Sequence, residues 1–212
     1  MTCPASTVVT DEVELPDVRH LRTLATRRFD VQAAEHAAAA LVEALGMDLT
    51  DPSLAATPGR MVRAYVELLT PPDVSLTTFP NDAGYDELVL ACDIPFTSIC
   101  EHHLLAFTGT ATVGYLPGGR LLGLSKLARV VDLHARRPQI QERMTKQIAD
   151  WLDARLEPRG VGVVVRAEHS CMTLRGARAR GSSTVTSALL GLIRTDERTR
   201  NEFLTLSERR SQ

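Results

Sequence analysis

Cys100, Glu101, His102 and His103 stand side by side in SICEHHLLAF, an otherwise apolar run from Ser98 to Phe107. A thiol, a carboxylate and two imidazoles are side chains that bind metals or move protons near neutral pH. The three-residue spacing of Cys100 and His103 aims both the same way on a helical turn, while Glu101 and His102 point elsewhere. That pair predicts two metal ligands. Cys171, in AEHSCM, is the third candidate, and along an extended strand it shares a face with His169. Two thiolates and one imidazole make a soft, three-ligand zinc site, and a fourth position left to water is the catalytic arrangement. His102 cannot easily reach the metal held by His103, so its expected task is proton transfer beside it, with His169 as the other candidate. Free cysteine usually behaves as a small buried hydrophobe, which is the reading for Cys3 and Cys92. His20, His36 and His134 are read as structural histidines.

Other stretches carry charge where an anion would explain it. Ser125 opens a helix with Lys126 and Arg129 in its first turn, where cations oppose the helix dipole unless an anion binds the exposed N–H groups. A solvated surface fits this stretch equally well. Gln141 and Glu142 start an amphipathic helix, where an acidic residue is favoured by the dipole alone. Arg175, Arg178 and Arg180 lie in a glycine-rich loop after Cys171, suited to phosphates or to a plain basic turn.

Elements able to position these residues follow from the pattern. Residues 1–16 are small, polar and proline-punctuated, the composition of a mobile tail. From Asp30 an alanine-rich stretch with Leu41, Val42 and Leu45 at helical spacing predicts a helix capped by Gly46. A second helix follows, capped by Thr57, with Pro58 in its first turn and Met61, Tyr65, Leu68 and Leu69 on one face. After a loop the runs ELVLACDI and AFTGTATVGYL read as strands, the latter joined through Pro-Gly-Gly to RLLGL as a hairpin. Helices from Ser125 and after Pro138 come next, the latter with a stripe of Ile140, Met144, Ile148, Trp151 and Leu152. VGVVVRAEHSCMTL reads as a strand, and the remainder as helical or mixed. The order predicts an α+β domain with an antiparallel sheet.

With 212 residues the chain fits a single domain that buries a core without staples. A net charge of −2 gives no general reason to expect nucleic acid or an acidic membrane, so anion binding must be local. Four cysteines without framework spacing point to a reducing compartment. No signal-peptide pattern or bilayer-length apolar run is present, so the expected location is the cytoplasm.

Taken in order, SICEHHLLAF, GYLPGGRLLGLSKLARVVDLHARRPQIQERMTKQIADWL, GVGVVVRAEHSCMTLRG and STVTSALLG closely resemble GTP cyclohydrolase I, from roughly Arg28 to Leu206. The resemblance implies zinc held by Cys100, His103 and Cys171, with His102 and His169 as catalytic histidines. It further implies guanine recognition by Gln141 and Glu142, and ribose-triphosphate contacts from Ser125, Lys126, Arg129 and Arg175. Ser125 would also take part in rearranging the ribose. The implied reaction converts GTP to 7,8-dihydroneopterin triphosphate and formate. The implied fold is the tunnelling fold, four antiparallel strands with helices on one face plus N-terminal helices. It is assembled as a homodecamer of two stacked pentamers with active sites between subunits. Residues 17–212 would form one such domain, helical to about residue 70 and catalytic from about 71. Two departures are Ala106, where the family usually has proline, and the more basic ARARGSS beyond Arg175. A silent paralogue that regulates an active enzyme is a rival reading, but every mapped position carries the expected residue. A zinc nucleobase deaminase lacks support, because no H-x-E with a later P-C-x-x-C is present.

Overall fold

The computed structural model describes residues 28–208; the expected tail, Cys3 and His20 lie outside them. Helix α1 (Val31–Ala44) starts where the Asp30 side chain accepts from the Ala33 N–H at 2.9 Å, and it stops before Gly46, whose φ of 83° is the left-handed conformation glycine permits. Its apolar residues divide differently from their expected stripe: Val42 is buried, whereas Leu41 and Leu45 are exposed because α1 packs chiefly on one neighbour, α2 (Thr57–Leu68). In α2 the cap position is Ala56 and Thr57 is already helical, one residue from the expected start.

Five strands build the main sheet: β2 (Val89–Cys100), β3 (Ala106–Leu116), β5 (Pro138–Gln139), β6 (Gly160–His169) and β7 (Thr184–Leu190), in the order β5-β2-β3-β6-β7. All neighbours are antiparallel except β5, which pairs parallel with Ile99 and Cys100. The expected four antiparallel strands are therefore present, with a two-residue fifth strand added at the Cys100 end of β2.

Two expectations are corrected. The predicted hairpin from β3 into RLLGL does not form: both edges of β3 are already taken by β2 and β6. Strand β4 (Arg120–Leu122) instead pairs with β1 (Thr78–Pro80), inside the stretch read as a loop. The stretch read as helical or mixed from Ser182 holds β7, followed by α6 (Gly191–Thr195) and α7 (Glu197–Glu208).

Helices α3 (Ser125–Ala135) and α4 (Gln141–Leu156) cover one face. Leu127, Val130, Met144, Ile148 and Leu152 are buried there against Phe107, Val113, Val163 and Val165. The opposite face is not bare, contrary to helices on one face alone. Phe203 of α7 is fully buried there with Val164 and Ile193. Gly114 and Gly162 face each other across β3 and β6, and a Cβ on Gly162 would lie 2.6 Å from the Phe203 ring. Their missing side chains make the seat for that ring. Among the described residues no helix is long and apolar enough to cross a membrane.

Candidate metal and active site

The site lies where β2 ends. Cys100 is the last residue of β2 and is buried; the chain then reverses through Glu101–Leu105 into β3. The Leu104 N–H donates to the Cys100 carbonyl and the Cys100 N–H to the Leu105 carbonyl, both at 2.8 Å. Such an i to i+4 bond is one helical turn, the geometry the spacing predicted, and Leu104 closes it with a φ of 54°. Two outside contacts hold the turn: the Tyr65 hydroxyl donates to the Leu104 carbonyl at 3.0 Å, and the Glu101 N–H donates to the Gln139 carbonyl at 3.0 Å.

Cys100 Sγ lies 3.8 Å from His103 Nδ1, and the donor atoms of Cys100, His103 and Cys171 all fall within 4.8 Å of one another. A tetrahedral zinc with Zn–S near 2.3 Å and Zn–N near 2.0–2.1 Å needs an S···N separation of about 3.6 Å. The three residues therefore fit a metal ion, and as a set they can hold one. Cys171 arrives by another route than expected: β6 ends at His169, and Cys171 lies in the helical turn α5 (Ser170–Thr173) instead of sharing a strand face with His169. Burial and the adjacent Cys100 thiol push the Cys171 thiol up, while the Arg175 guanidinium pulls it down. A bound cation would favour the thiolates.

His169 is half-buried at the end of β6, opposite Phe107 in the register. Its ring stacks on Phe107, with centroids 4.5 Å apart and planes 6° from parallel, and its Nε2 is 2.8 Å from Gln141 Oε1. Burial lowers its proton affinity and outweighs the opposing effect of the Glu142 carboxylate. His102 is exposed, with Nε2 at 4.0 Å from Glu101 Oε1. Glu101 is in turn paired with Arg143, whose Nε donates to Gln139 Oε1 at 3.0 Å.

Ser125, Lys126 and Arg129 are not gathered here. They start α3, whose far end, Ala135, accepts from Ser98 Oγ at 2.6 Å near Cys100. At about 1.5 Å per residue, Ser125 lies about 15 Å along the helix from that contact. Lys126, largely buried, reaches Ser75 Oγ at 3.4 Å beside the β1–β4 pair, while Ser125 and Arg129 are exposed. Arg175 does stand near the metal ligands, within electrostatic reach of Cys171.

Of the thiols and histidines set aside earlier, Cys92 is exposed and not a core residue, because the bulge between Ala91 and Ile94 turns it outward. His36 is exposed on α1, and His134 is buried. Arg143, Gln139, Phe107 and Tyr65 were not identified beforehand as supports of the site. Their roles arise from contacts between segments distant in sequence, apart from the Arg143–Gln139 pair, whose i, i+4 spacing was visible.

An α+β sheet that ends in a Cys/His/Cys donor set beside a half-buried histidine defines an enzyme equipped to work with a metal. The chain belongs to the GTP cyclohydrolase I family, whose model matches residues 34–208. It is 53% identical over 193 residues to "GTP cyclohydrolase 1" of Mycolicibacterium vanbaalenii, covering 88% of this chain and 95% of that one. It is 54% identical over 186 residues to "GTP cyclohydrolase 1" of Mycobacterium tuberculosis, covering 85% and 92%. The protein of the same name from Streptomyces avermitilis is 52% identical over 185 residues, covering 84% and 90%.

Proposed function

We propose that this protein converts GTP and water to 7,8-dihydroneopterin triphosphate and formate, with zinc held by Cys100, His103 and Cys171, as the entry to pterin or folate biosynthesis in the cytoplasm. The observation that carries the reading is the approach of those three donors to one another beside His169 in a chain of this family. When bound, zinc supplies Lewis-acid chemistry that makes water nucleophilic near neutral pH.

The rest of the chemistry falls to the chain. Glu142, in the exposed first turn of α4, is an acceptor-only carboxylate able to hold the N1–H and 2-amino donors of guanine. Adenine does not present that pair, so an unmatched carboxylate disfavours ATP. Gln141, next to it in sequence, is buried with its side-chain oxygen facing His169. His169 gives a proton to N7 of the base, which makes C8 electrophilic, and His102 assists proton transfer as C8 leaves as formate. Arg175, Lys126 and Arg129 hold the ribose-triphosphate, and Ser125 takes part in rearranging the ribose before the pterin ring closes.

Because Ser125, Lys126 and Arg129 sit at the other end of α3 from the metal donors, the reading places them in the site of a neighbouring subunit. Assembly as two stacked pentamers of the tunnelling fold is supported by the outer edge of β7, unpaired among the described residues, and by exposed Leu41, Phe79, Leu124 and Val185 in the single chain. Each subunit is read as one domain over residues 17–212, helical to about 70.

The test is to incubate zinc-loaded protein with GTP and measure formate together with the fluorescence of the oxidised pterin. Both products are expected. Formate without pterin would mean that the reaction stops at ring opening, and neither product would refute the proposed reaction.

A further inference from the structure

Proton positions around Gln141 follow from which partners are unable to donate. Its side-chain Nε2 lies 3.1 Å from the Val165 carbonyl, 3.0 Å from the Thr184 carbonyl and 3.2 Å from Thr186 Oγ1. Carbonyl oxygens only accept, so the amide must turn its NH2 group toward them; the reverse orientation would set three oxygens face to face. The hydroxyl joins the same scheme. Thr145 Oγ1 lies 2.8 Å from the Gln141 backbone carbonyl and so donates its proton there; it must then accept from Thr186 Oγ1 at 2.6 Å. With its proton directed to Thr145, Thr186 Oγ1 is left as an acceptor for Gln141.

One orientation of the amide therefore remains, with Oε1 facing His169 Nε2 at 2.8 Å. Oε1 cannot donate. His169 must carry its proton on Nε2, and Nδ1, which makes no hydrogen bond among the described residues, is the other nitrogen. Gln141 is 2% exposed, and both its amide protons are committed to the sheet and Thr186. The stacked Phe107 ring fixes the plane in which the imidazole lies.

We propose that Gln141 is a positioning residue: it locks His169 as the Nε2–H tautomer, so that Nδ1 is the nitrogen exchanging a proton with the nucleotide. Its side chain thus serves GTP through His169 and not by reading the guanine. This rests on the reaction proposed above, but its first test is independent of turnover. Histidine labelled with nitrogen-15 in the zinc-loaded protein reports which ring nitrogen is protonated, and a His169→Gln spectrum assigns the signal. In the alkaline range, where the rings are neutral, His169 is expected to show a protonated Nε2 and a bare Nδ1. The opposite tautomer, or a mixture, would overturn the proposal even in a protein that turns over GTP normally. Absence of turnover in the wild type would sink the proposed reaction while the tautomer result still stood.

Kinetics supply the second arm. Gln141→Leu keeps the volume but removes the lock, and is expected to lower kcat about tenfold to a hundredfold while KM for GTP moves less than about threefold. A raised KM with kcat intact would mean that the side chain reads the base, and would overturn the assignment. Should that variant fail to fold, the wild-type spectrum decides alone.

Discussion

Cys100, His103 and Cys171 supply one donor atom each, so removing any one leaves too few ligands to hold zinc against water. Cys100→Ala, His103→Ala and Cys171→Ala should each lose metal and turnover together, read by metal content and formate release. His169→Ala should keep its zinc and lose turnover about a hundredfold to ten-thousandfold, the range for a lost proton-transfer group. Zinc lost from that variant would contradict its assignment as an acid. A different histidine contributes to the response of stability to acid. His134 is buried, its Nδ1 accepts from Arg137, and its Nε2 has no partner among the described residues. Burial first, then the Arg137 and Arg155 guanidiniums, push its ring down to about 3. An unfolded ring takes its proton near 6.5. Between these values the unfolded chain binds more protons, so stability from this group is complete above about pH 6.5 and falls as the pH drops toward 3, by on the order of 5 kcal/mol in all. His134→Gln should show a shallower loss of thermal midpoint between about pH 6.5 and pH 4.5 than the wild type; equal slopes would remove His134 from the account.

At the scale of elements, the sheet depends on residues that contribute by having no side chain. Gly162→Ala places a methyl 2.6 Å from Phe203, and Phe203 is held by α7 packing on β6 and its neighbours. Overpacking of that kind costs about 1–3 kcal/mol, so the variant should melt several degrees lower, and adding Phe203→Leu should restore part of the loss. A double variant no better than the single would show that the clash is relieved elsewhere. Local pattern made much of this layer readable. The capped α1, the amphipathic α4 and the apolar runs of β2, β3 and β6 carried their own signals. What pattern did not carry was pairing. RLLGL has strand character, but its partner is Thr78–Pro80 because β3 has no free edge. Similarly, β7 sits at the sheet edge with alternate residues only part-buried, which blurs an apolar signal. The seat of Phe203 needed two glycines that only the register brings together.

For the whole molecule, the proposed division of the site between subunits is the main consequence. The candidate metal donors were legible because cysteine and histidine are both rare and two of the three are closely spaced, whereas the route of Cys171 through a helical turn was not. Arg143 and Glu101 became visible as a pair only when α4 came to rest against the β2 turn. Lys126 and Arg129 look like ordinary helix-start cations, and in a single chain they stand about 14 Å and about 9 Å along α3 from its contact near Cys100. In the proposed assembly one subunit's metal set acts on a nucleotide whose phosphates another subunit holds. Mixing two inactive variants tests it most directly: Cys171→Ala and Lys126→Ala protein are unfolded and refolded together with zinc, and formate release from GTP is measured against each variant refolded alone. Recovery of a substantial fraction of wild-type activity in the mixture is predicted, because some interfaces then pair an intact metal set with an intact Lys126. Mixed oligomers that form but remain as inactive as their parents would contradict the claim and return the whole site to a single chain.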